Sequence, residues 1–520
     1  MNAHSLFTAI FFLSASIVQA APTTLDTSFG TNGVIGATIT PDVFNYGAAM
    51  DRQSDGKLVV AGSCYRPALG YTQFCVWRFR QDGASDAGFG SGGVVKIDFP
   101  GLSLSQGASS LTVQPDGKIV IAGVCDIGVS GAQSVYQFCA ARLLPAGGLD
   151  TQGFGTGGQW RGRVMPGSLK SDERLTTILA QPDGKIVLLG TCLVYGPGAS
   201  ESHLYACHTR LRANGQPDAS YTAEPIENIG TLSDFGVAAV LKTDGKIVLA
   251  GRCRSDGVTL GSFDFKACIG QLNASGDVDS TFGSRGFSIA ADPPGQNMTA
   301  VAIAIQGGGN LIVAGQCYVD PSRTSACLRR WNVGGDPDTA FPAASASIIT
   351  TLRFTATKIA AQGDGKIVVA GTCEEANQPA KLCVARHHAN GERDTQFTRG
   401  IAELIDVSGR PDLMQALVAQ SDGKIVLQGV CGVEVPSSGY SVCLARLLGG
   451  PNEFSACSGD VDGDGVVTTS DSLIFARVAL GFTDTSVTQN VAFAAQATRR
   501  TWPLIRDYLA NHCRLRVGRS

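Results

Sequence analysis

The sequence predicts an all-β fold, a seven-bladed β-propeller of four-stranded blades, followed by a small α-helical calcium-binding C-terminal module. Three observations carry this. Two short phrases recur seven times in a fixed order, at a period of about 60 residues. A pair of cysteines recurs on the same beat. After residue 450 an Asp/Gly-rich loop runs directly into a helical pattern.

The bulk composition agrees. Gly makes up 65 of 520 residues and charged residues only 16%, which suits turn-rich β structure. The formal net charge is −3, without the basic excess that a phosphate backbone demands, so nucleic acid is excluded as a partner. An apolar run from Leu6 to Val18 followed by Val18-Gln19-Ala20 reads as a secretory signal over residues 1–20. No later segment is apolar enough to span a membrane. The domains that follow are the seven-repeat propeller over 21–450 and the calcium-binding module over 451–520.

The first phrase, Gln-x-Asp-Gly-Lys-Ile-Val-x-x-Gly, is centred on Asp55-Gly56, Asp116-Gly117, Asp183-Gly184, Asp244-Gly245, Asp364-Gly365 and Asp422-Gly423. A degenerate copy, Gly308-Gly309-Asn310-Leu311, fills the one gap. The second phrase, Asp-x-x-Phe-Gly, begins at Asp26, Asp86, Asp150, Asp218, Asp279, Asp338 and Asp394. In the unit from Tyr46 to Phe99 the strands are expected near Ala48–Gln53, Leu58–Ala61, Cys75–Phe79 and Val94–Phe99. The third is expected to alternate, with Val76 and Arg78 on one face and Trp77 and Phe79 on the other. Asp-Gly supplies the left-handed residue of a tight hairpin, and Pro115 and Pro182 suit a type I turn whose glycine closes a bulge.

Such a unit cannot bury both faces alone, and stacking seven around an axis does so. The segment Leu25–Gly30 with a strand at Gly33–Thr38 reads as the end of a unit, while the seventh unit stops after its third strand at Cys443–Leu448. The N-terminal strand is therefore expected to complete the last blade and leave no open edge. These phrases resemble the delta-60 repeat family over about residues 25–450. The resemblance implies a propeller of exported bacterial proteins and no particular activity.

Seven cysteine pairs keep phase with the repeat: Cys64/Cys75, Cys125/Cys139, Cys192/Cys207, Cys253/Cys268, Cys317/Cys327, Cys373/Cys383 and Cys431/Cys443. The first member follows strand two and the second opens strand three, which are hairpin neighbours. A bridge within each hairpin is expected, worth about 2–3 kcal/mol in the chain-entropy view. The spacing is not that of zinc ligands. A further bridge, Cys457 to Cys513, is expected around the C-terminal module.

Residues 460–471 form an EF-hand-type loop. Asp460, Asp462 and Asp464 offer carboxylates, Val466 its carbonyl, Thr468 a hydroxyl or a bridging water, and Asp471 the closing carboxylate; together they predict bound Ca2+. A helix is expected over Asp471–Leu480, with Leu473, Ile474, Val478 and Leu480 on one side and Gly481 as its stop. Loop then helix, with Asp at position twelve, resembles half of a type I dockerin. The second dockerin loop is missing, and a Pro-started helix around Trp502–Leu509 stands in its place, so dual-mode engagement of a cohesin-like partner is not expected.

Other chemistry is set aside. Gly88–Gly93 and Gly153–Gly158 match G-x-G-x-x-G but are followed by strands, and the Asp-Gly-Lys phrases lack the Ser/Thr of a phosphate loop. His203, His208, His387 and His388 are read as solvated strand or loop edges, and the repeated aspartates as turn caps rather than paired catalytic acids. The function expected is that of a secreted, cell-surface or periplasmic non-enzymatic binding or scaffold protein whose ligand is a polysaccharide or a surface protein. The alternatives are a polysaccharide-degrading hydrolase or lyase and a purely structural envelope or biofilm component.

Overall fold

The computed structural model describes residues 23–36, 45–68, 70–102, 104–130, 133–165, 170–195, 202–223, 238–254, 265–290, 297–320, 323–342, 352–398, 402–432, 441–449, 461, 469–479, 482, 485–493, 500–502, 504–506 and 509. Within them the chain folds into seven antiparallel sheets. Five have four strands and two have three. The three-stranded sheets are blade 3 (Lys170–Ala180, Ile186–Tyr195, Ser202–Leu211) and blade 5 (Asn297–Ile305, Leu311–Asp320, Arg323–Trp331). Their fourth strands would fall in 224–237 and 343–351, outside the described residues. The first strands of successive blades touch one another, and the first strand of blade 7 (Asp412–Ala419) touches that of blade 1 (Asn45–Arg52). The ring is therefore closed, with the first strands innermost.

Closure comes from the chain start, as expected. Val34 and Ile35 pair antiparallel with Ala445 and Leu444, adding a fourth strand to blade 7. The first-phrase turn also has its expected form. Gln53 N–H bonds to the Lys57 carbonyl at 2.9 Å and Gly56 N–H to the Gln53 carbonyl at 2.9 Å, with Gly56 at φ 85°. The degenerate Gly308-Gly309-Asn310 copy makes the same turn, Gly309 N–H reaching the Gln306 carbonyl at 3.0 Å.

Two expectations need correction. The second and third strands are longer than expected: in blade 1 they run Leu58–Arg66 and Tyr71–Phe79. The cysteines therefore sit inside the hairpin rather than at its edge. The third strand does not alternate, because Val76, Trp77, Arg78 and Phe79 are all buried. Each blade is sandwiched between two others, so both of its faces are core. Val59, Ala61, Phe74 and Val76 of blade 1 pack with Ile119 and Ile121 of blade 2, and this pattern continues around the ring.

The glycine that ends the first phrase has a packing reason. Every complete first strand carries a bulge, as between Gly47 and Ala49 opposite Gly62 and Ala61. The bulge drives the first-strand backbone onto this glycine, so a Cβ on Gly62, Gly123, Gly190 or Gly371 would overlap the carbonyl oxygen of Tyr46, Gly107, Arg174 or Thr355 respectively.

The C-terminal module has its own small core of Val461, Ile474, Val487, Trp502, Ile505 and Leu509. Helix α1 spans Thr469–Ala479. Ile474 is buried and Val478 packs beside it, while Leu473 is 39% exposed and so lies off the expected face.

Candidate functional site

The two repeated phrases meet at one end of every regular blade and build a single joint there. In blade 2, Arg142 on the third strand donates from Nε to Asp150 Oδ2 at 2.9 Å and from Nη1 to the Ala213 carbonyl of blade 3 at 2.6 Å. Its guanidinium lies over the Phe154 ring, 4.9 Å from the centroid. Lys118 of the Asp-Gly-Lys phrase stands 3.6 Å from the same carboxylate. Arg78, Arg210, Arg330, Arg386 and Arg446 repeat the arginine's contact with Asp86, Asp218, Asp338, Asp394 and Asp26, and Lys57, Lys366 and Lys424 repeat the lysine's with Asp86, Asp394 and Asp26. Each of these arginines also donates to a turn carbonyl of the following blade: Pro145, Ala274, Ala389, Gly449 and Gln81. One planar guanidinium thus ties its own aspartate, an aromatic ring and the next blade together. The phrase's glutamine adds a second tie, as when Gln306 Nε2 donates to the Gly365 carbonyl at 2.7 Å.

These contacts fix the electrostatics. Burial works against the Asp218 carboxylate, yet the Ser220 hydroxyl and amide and the Arg210 guanidinium outweigh it and hold the group at about 2. Asp279 lies well below the usual carboxylate range, chiefly because Lys246 and Thr281 donate to it. The repeated aspartates cap local amides as expected and also anchor the interblade joint. The arginines were missed from sequence, although the signal was present: Cys-x-x-Arg recurs at Cys75/Arg78, Cys139/Arg142, Cys207/Arg210, Cys327/Arg330, Cys383/Arg386 and Cys443/Arg446.

The opposite end is built differently. All seven expected bridges form, with Cα–Cα distances of 5.7–5.9 Å. Each is diagonal in its hairpin; Cys64 faces Gln73, and Cys75 faces Gly62. The bridges lie just below the loops joining strands two and three, so loops of unequal length stand on braced stems. Cys457 and Cys513 lie outside the described residues.

Tyrosine is concentrated at this end. Tyr46, Tyr65, Tyr71, Tyr136, Tyr195, Tyr205 and Tyr318 all lie in the loop-end halves of their strands, and all are at least partly exposed. The phenylalanines Phe29, Phe89, Phe154, Phe282, Phe341 and Phe397 sit buried at the joint end. Arg174 lies over Tyr136 at 4.9 Å, and Tyr46 donates to Gln415 Oε1 at 2.9 Å across the blade 1–blade 7 seam. Two buried acids there serve the interblade connections. Glu173 accepts from the Val164 and Met165 amides at 2.8 and 3.0 Å, and Asp412 accepts from the Val407 amide at 2.8 Å.

The histidine expectation fails at two positions. His208 is 2% exposed, with Nδ1 3.0 Å from the Tyr221 hydroxyl, and burial lowers its pKa to about 4. His387 closes the third strand of blade 6 and is likewise buried and lowered to about 4. Sandwiched blades leave no solvated edge at these places. His388 is partly exposed, with Nε2 4.0 Å from Asp394 Oδ1. His203 belongs to the third strand of blade 3.

Of the calcium-ligand residues, Asp460, Asp462, Asp464, Val466 and Thr468 lie outside the described residues. Asp471 is fully buried in the first turn of α1, and its Oδ1 accepts the Val461 amide at 2.6 Å. Position twelve is thus folded back onto position two of the loop.

Residues 53–89, 114–152 and 362–397 match a protein family described as a "Domain of unknown function (DUF5122) beta-propeller". No curated protein matches the chain. Among solved structures, similar ones include a polysaccharide lyase, an ulvan lyase, at 12% identity and TM-score 0.44, covering 79% of this chain and 97% of that one. The β-propeller domain of the Trilobed protease from Pyrococcus furiosus gives 11% and 0.40, covering 78% and 93%. An α-L-arabinanase from Penicillium chrysogenum gives 10% and 0.35, covering 80% and 100%. At these values the likenesses say nothing about activity. The repeat phrases, the seven sheets and the closed ring define the chain as a β-propeller repeat protein.

Proposed function

We propose that the protein is an exported binding or scaffold protein, whose propeller presents its loop end to an extracellular ligand, a polysaccharide or a surface protein. The observation that carries this is the division of labour between the two ends. At the joint end the repeat's aspartates, arginines and glutamines are engaged with one another. At the loop end partly exposed tyrosines stand on disulfide-braced hairpins of unequal loop length. Tyrosine offers broad apolar area with a polar tip at low entropic cost, which suits recognition of saccharide rings or protein surfaces. Seven disulfides fit an oxidising compartment, and no helix among the described residues is long and apolar enough to cross a membrane.

The C-terminal loop is read as the calcium site of an attachment module. The buried Asp471 carboxylate, turned toward the loop start, fits a hard cation in an all-oxygen cage. Asp460, Asp462, Asp464, Val466, Thr468 and Asp471 would hold Ca2+, which would fix the loop against α1. The test is a glycan array probed with the full-length protein in calcium and in chelator, read beside calorimetry. Binding that is lost in Tyr136→Ala, with an unfolding transition of the module that moves down in chelator, is expected. Binding indifferent to loop-end tyrosines contradicts the ligand face, and a melting profile indifferent to chelator contradicts the calcium site.

A further inference from the structure

Lys358 stands on the first strand of blade 6 (Leu352–Ala361), immediately after its bulge and opposite Ala370. The same place in the other first strands is held by Ala49, Ser110, Thr177, Ala238, Ala302 and Ala416, all small. First strands form the innermost wall of the ring, so Lys358 stands on the wall of the axial channel. Lys358 is partly accessible.

No described residue makes a hydrogen bond or ion pair with its ammonium group. The nearby strands offer no spare counter-charge. The first strand of blade 5 (Asn297–Ile305) carries no charged residue. On blade 7, Asp412 is engaged by the Val407 amide and the Ser408 hydroxyl. On the second strand of blade 6, Glu374 pairs with Arg353 at 3.4 Å near the loop end. Elsewhere on the ring, Asp51 accepts from the Val113 and Arg52 amides at 2.8 and 2.7 Å. Burial lowers the Lys358 pKa, and no carboxylate among the described residues opposes that.

We propose that Lys358 is the anchoring cation of a second binding site, in the axial channel, for a carboxylate or sulfate group of an acidic ligand. A partly desolvated ammonium without a partner gains a charge-assisted bond when an oxyanion enters, in a place where water screens the pair weakly. The bulge hydroxyls on the same wall, such as Thr357 beside it and Ser109 across the ring, suit the polar remainder of such a ligand. This site is separate from the loop-end face and does not depend on it.

The test uses the full-length protein with acetate and sulfate as probes, against chloride at equal ionic strength. Lysine acylation at neutral pH is followed by residue-resolved mass spectrometry, and the unfolding midpoint is followed in wild type, Lys358→Arg and Lys358→Met. An oxyanion that pairs with the amine keeps it protonated and shielded, so acylation of Lys358 should slow about threefold or more while the partly exposed Lys57 and Lys185, already paired with Asp55 and Asp183, are unaffected. Acetate favoured over sulfate identifies a carboxylate ligand, and the reverse a sulfated one. The anion-dependent rise in midpoint should persist in Lys358→Arg and vanish in Lys358→Met. A rate unchanged by either anion, an amine that reacts in no buffer, or a rise that survives in Lys358→Met overturns the proposal.

Discussion

Blades 3 and 4 are neighbours with the same hairpin and the same bridge, yet they place the cation of their joint on opposite sides. In blade 3, Arg210 stands on the third strand, with Asp218 at 2.9 Å and Gln181 Oε1 at 3.4 Å. In blade 4 the pair is inverted. Lys242 occupies the glutamine's place and donates at 3.1 Å to Oε1 of Gln271, which stands where the arginine would. Gln271 and Lys246 then share Asp279, each at 2.7 Å. A positive charge beside the buried aspartate is kept, but the reach is lost. A guanidinium has enough donors to serve aspartate, glutamine and the next blade together, whereas a lysine and an amide divide that work. The blade 4–blade 5 seam keeps the Gly283 amide to Gly334 carbonyl bond at 2.9 Å, which recurs at the regular seams as Gly155 to Asn214 at 2.8 Å, and the apolar packing of Val248, Ile269, Phe282, Met298 and Trp331, without the guanidinium tie. The repeat therefore preserves a charge balance rather than a residue, and one seam of the ring is held differently from the others.

The largest effect should come from removing a regular joint. Arg386→Met leaves Asp394, 1% exposed, without its guanidinium, held by the Gln396 and Phe397 amides at 3.1 and 3.2 Å with Lys366 at 3.6 Å and His388 at 4.0 Å, and should cost about 3 kcal/mol in urea unfolding. Gln271→Met in blade 4 should cost less, about 1.5 kcal/mol, the low end for hydrogen bonds to charged groups, because Lys246 stays on Asp279. Equal costs would erase the distinction between the two kinds of joint. The bridges sharpen it from the other side. Cys192/Cys207 and Cys253/Cys268 both span 15 residues, so replacing either pair by alanine should cost about the same, roughly 3 kcal/mol, because a bridge acts mainly by restricting the unfolded chain. A much larger loss in blade 4 would mean that its seam depends on its disulfide.

Acid should separate the blades more gently. His208 of blade 3 is lowered from 6.5 to about 4, so the unfolded chain takes up a proton that the folded protein refuses. The stability that this gives is complete above pH 6.5 and declines as the pH falls toward 4. His208→Phe should flatten that part of a stability-against-pH curve. Below it, Asp218, lowered from 3.8 to about 2, adds a second decline between those values. A variant curve identical to wild type would contradict the buried, neutral histidine.

Much of this fold was legible because turns demand particular residues. Asp-Gly at each hairpin marked the blades, and the orphan strand before residue 36 marked the closure. The propeller's cysteines marked the hairpins and found their predicted partners. What stayed hidden was the use of one residue by two elements distant in sequence. Arg142 looks like an unremarkable strand residue until its contact with the Ala213 carbonyl is known, and only its fixed distance from Cys139 hinted at a role. His208 and His387 were misjudged because alternation assumes a solvated face, which sandwiched blades lack. Lys358 gave no signal, since the bulge that places it on the channel wall is not visible in sequence.

The closed ring is tested most directly where chain start meets chain end. Asp26 and Arg446, 420 residues apart, pair at 2.9 Å, and Arg446 continues to the Gln81 carbonyl of blade 1. A double-mutant cycle with Asp26→Asn and Arg446→Met, read by equilibrium unfolding, should give a coupling on the order of 1–3 kcal/mol. Strictly additive losses would mean that the two residues do not meet and that the first strand does not close the seventh blade.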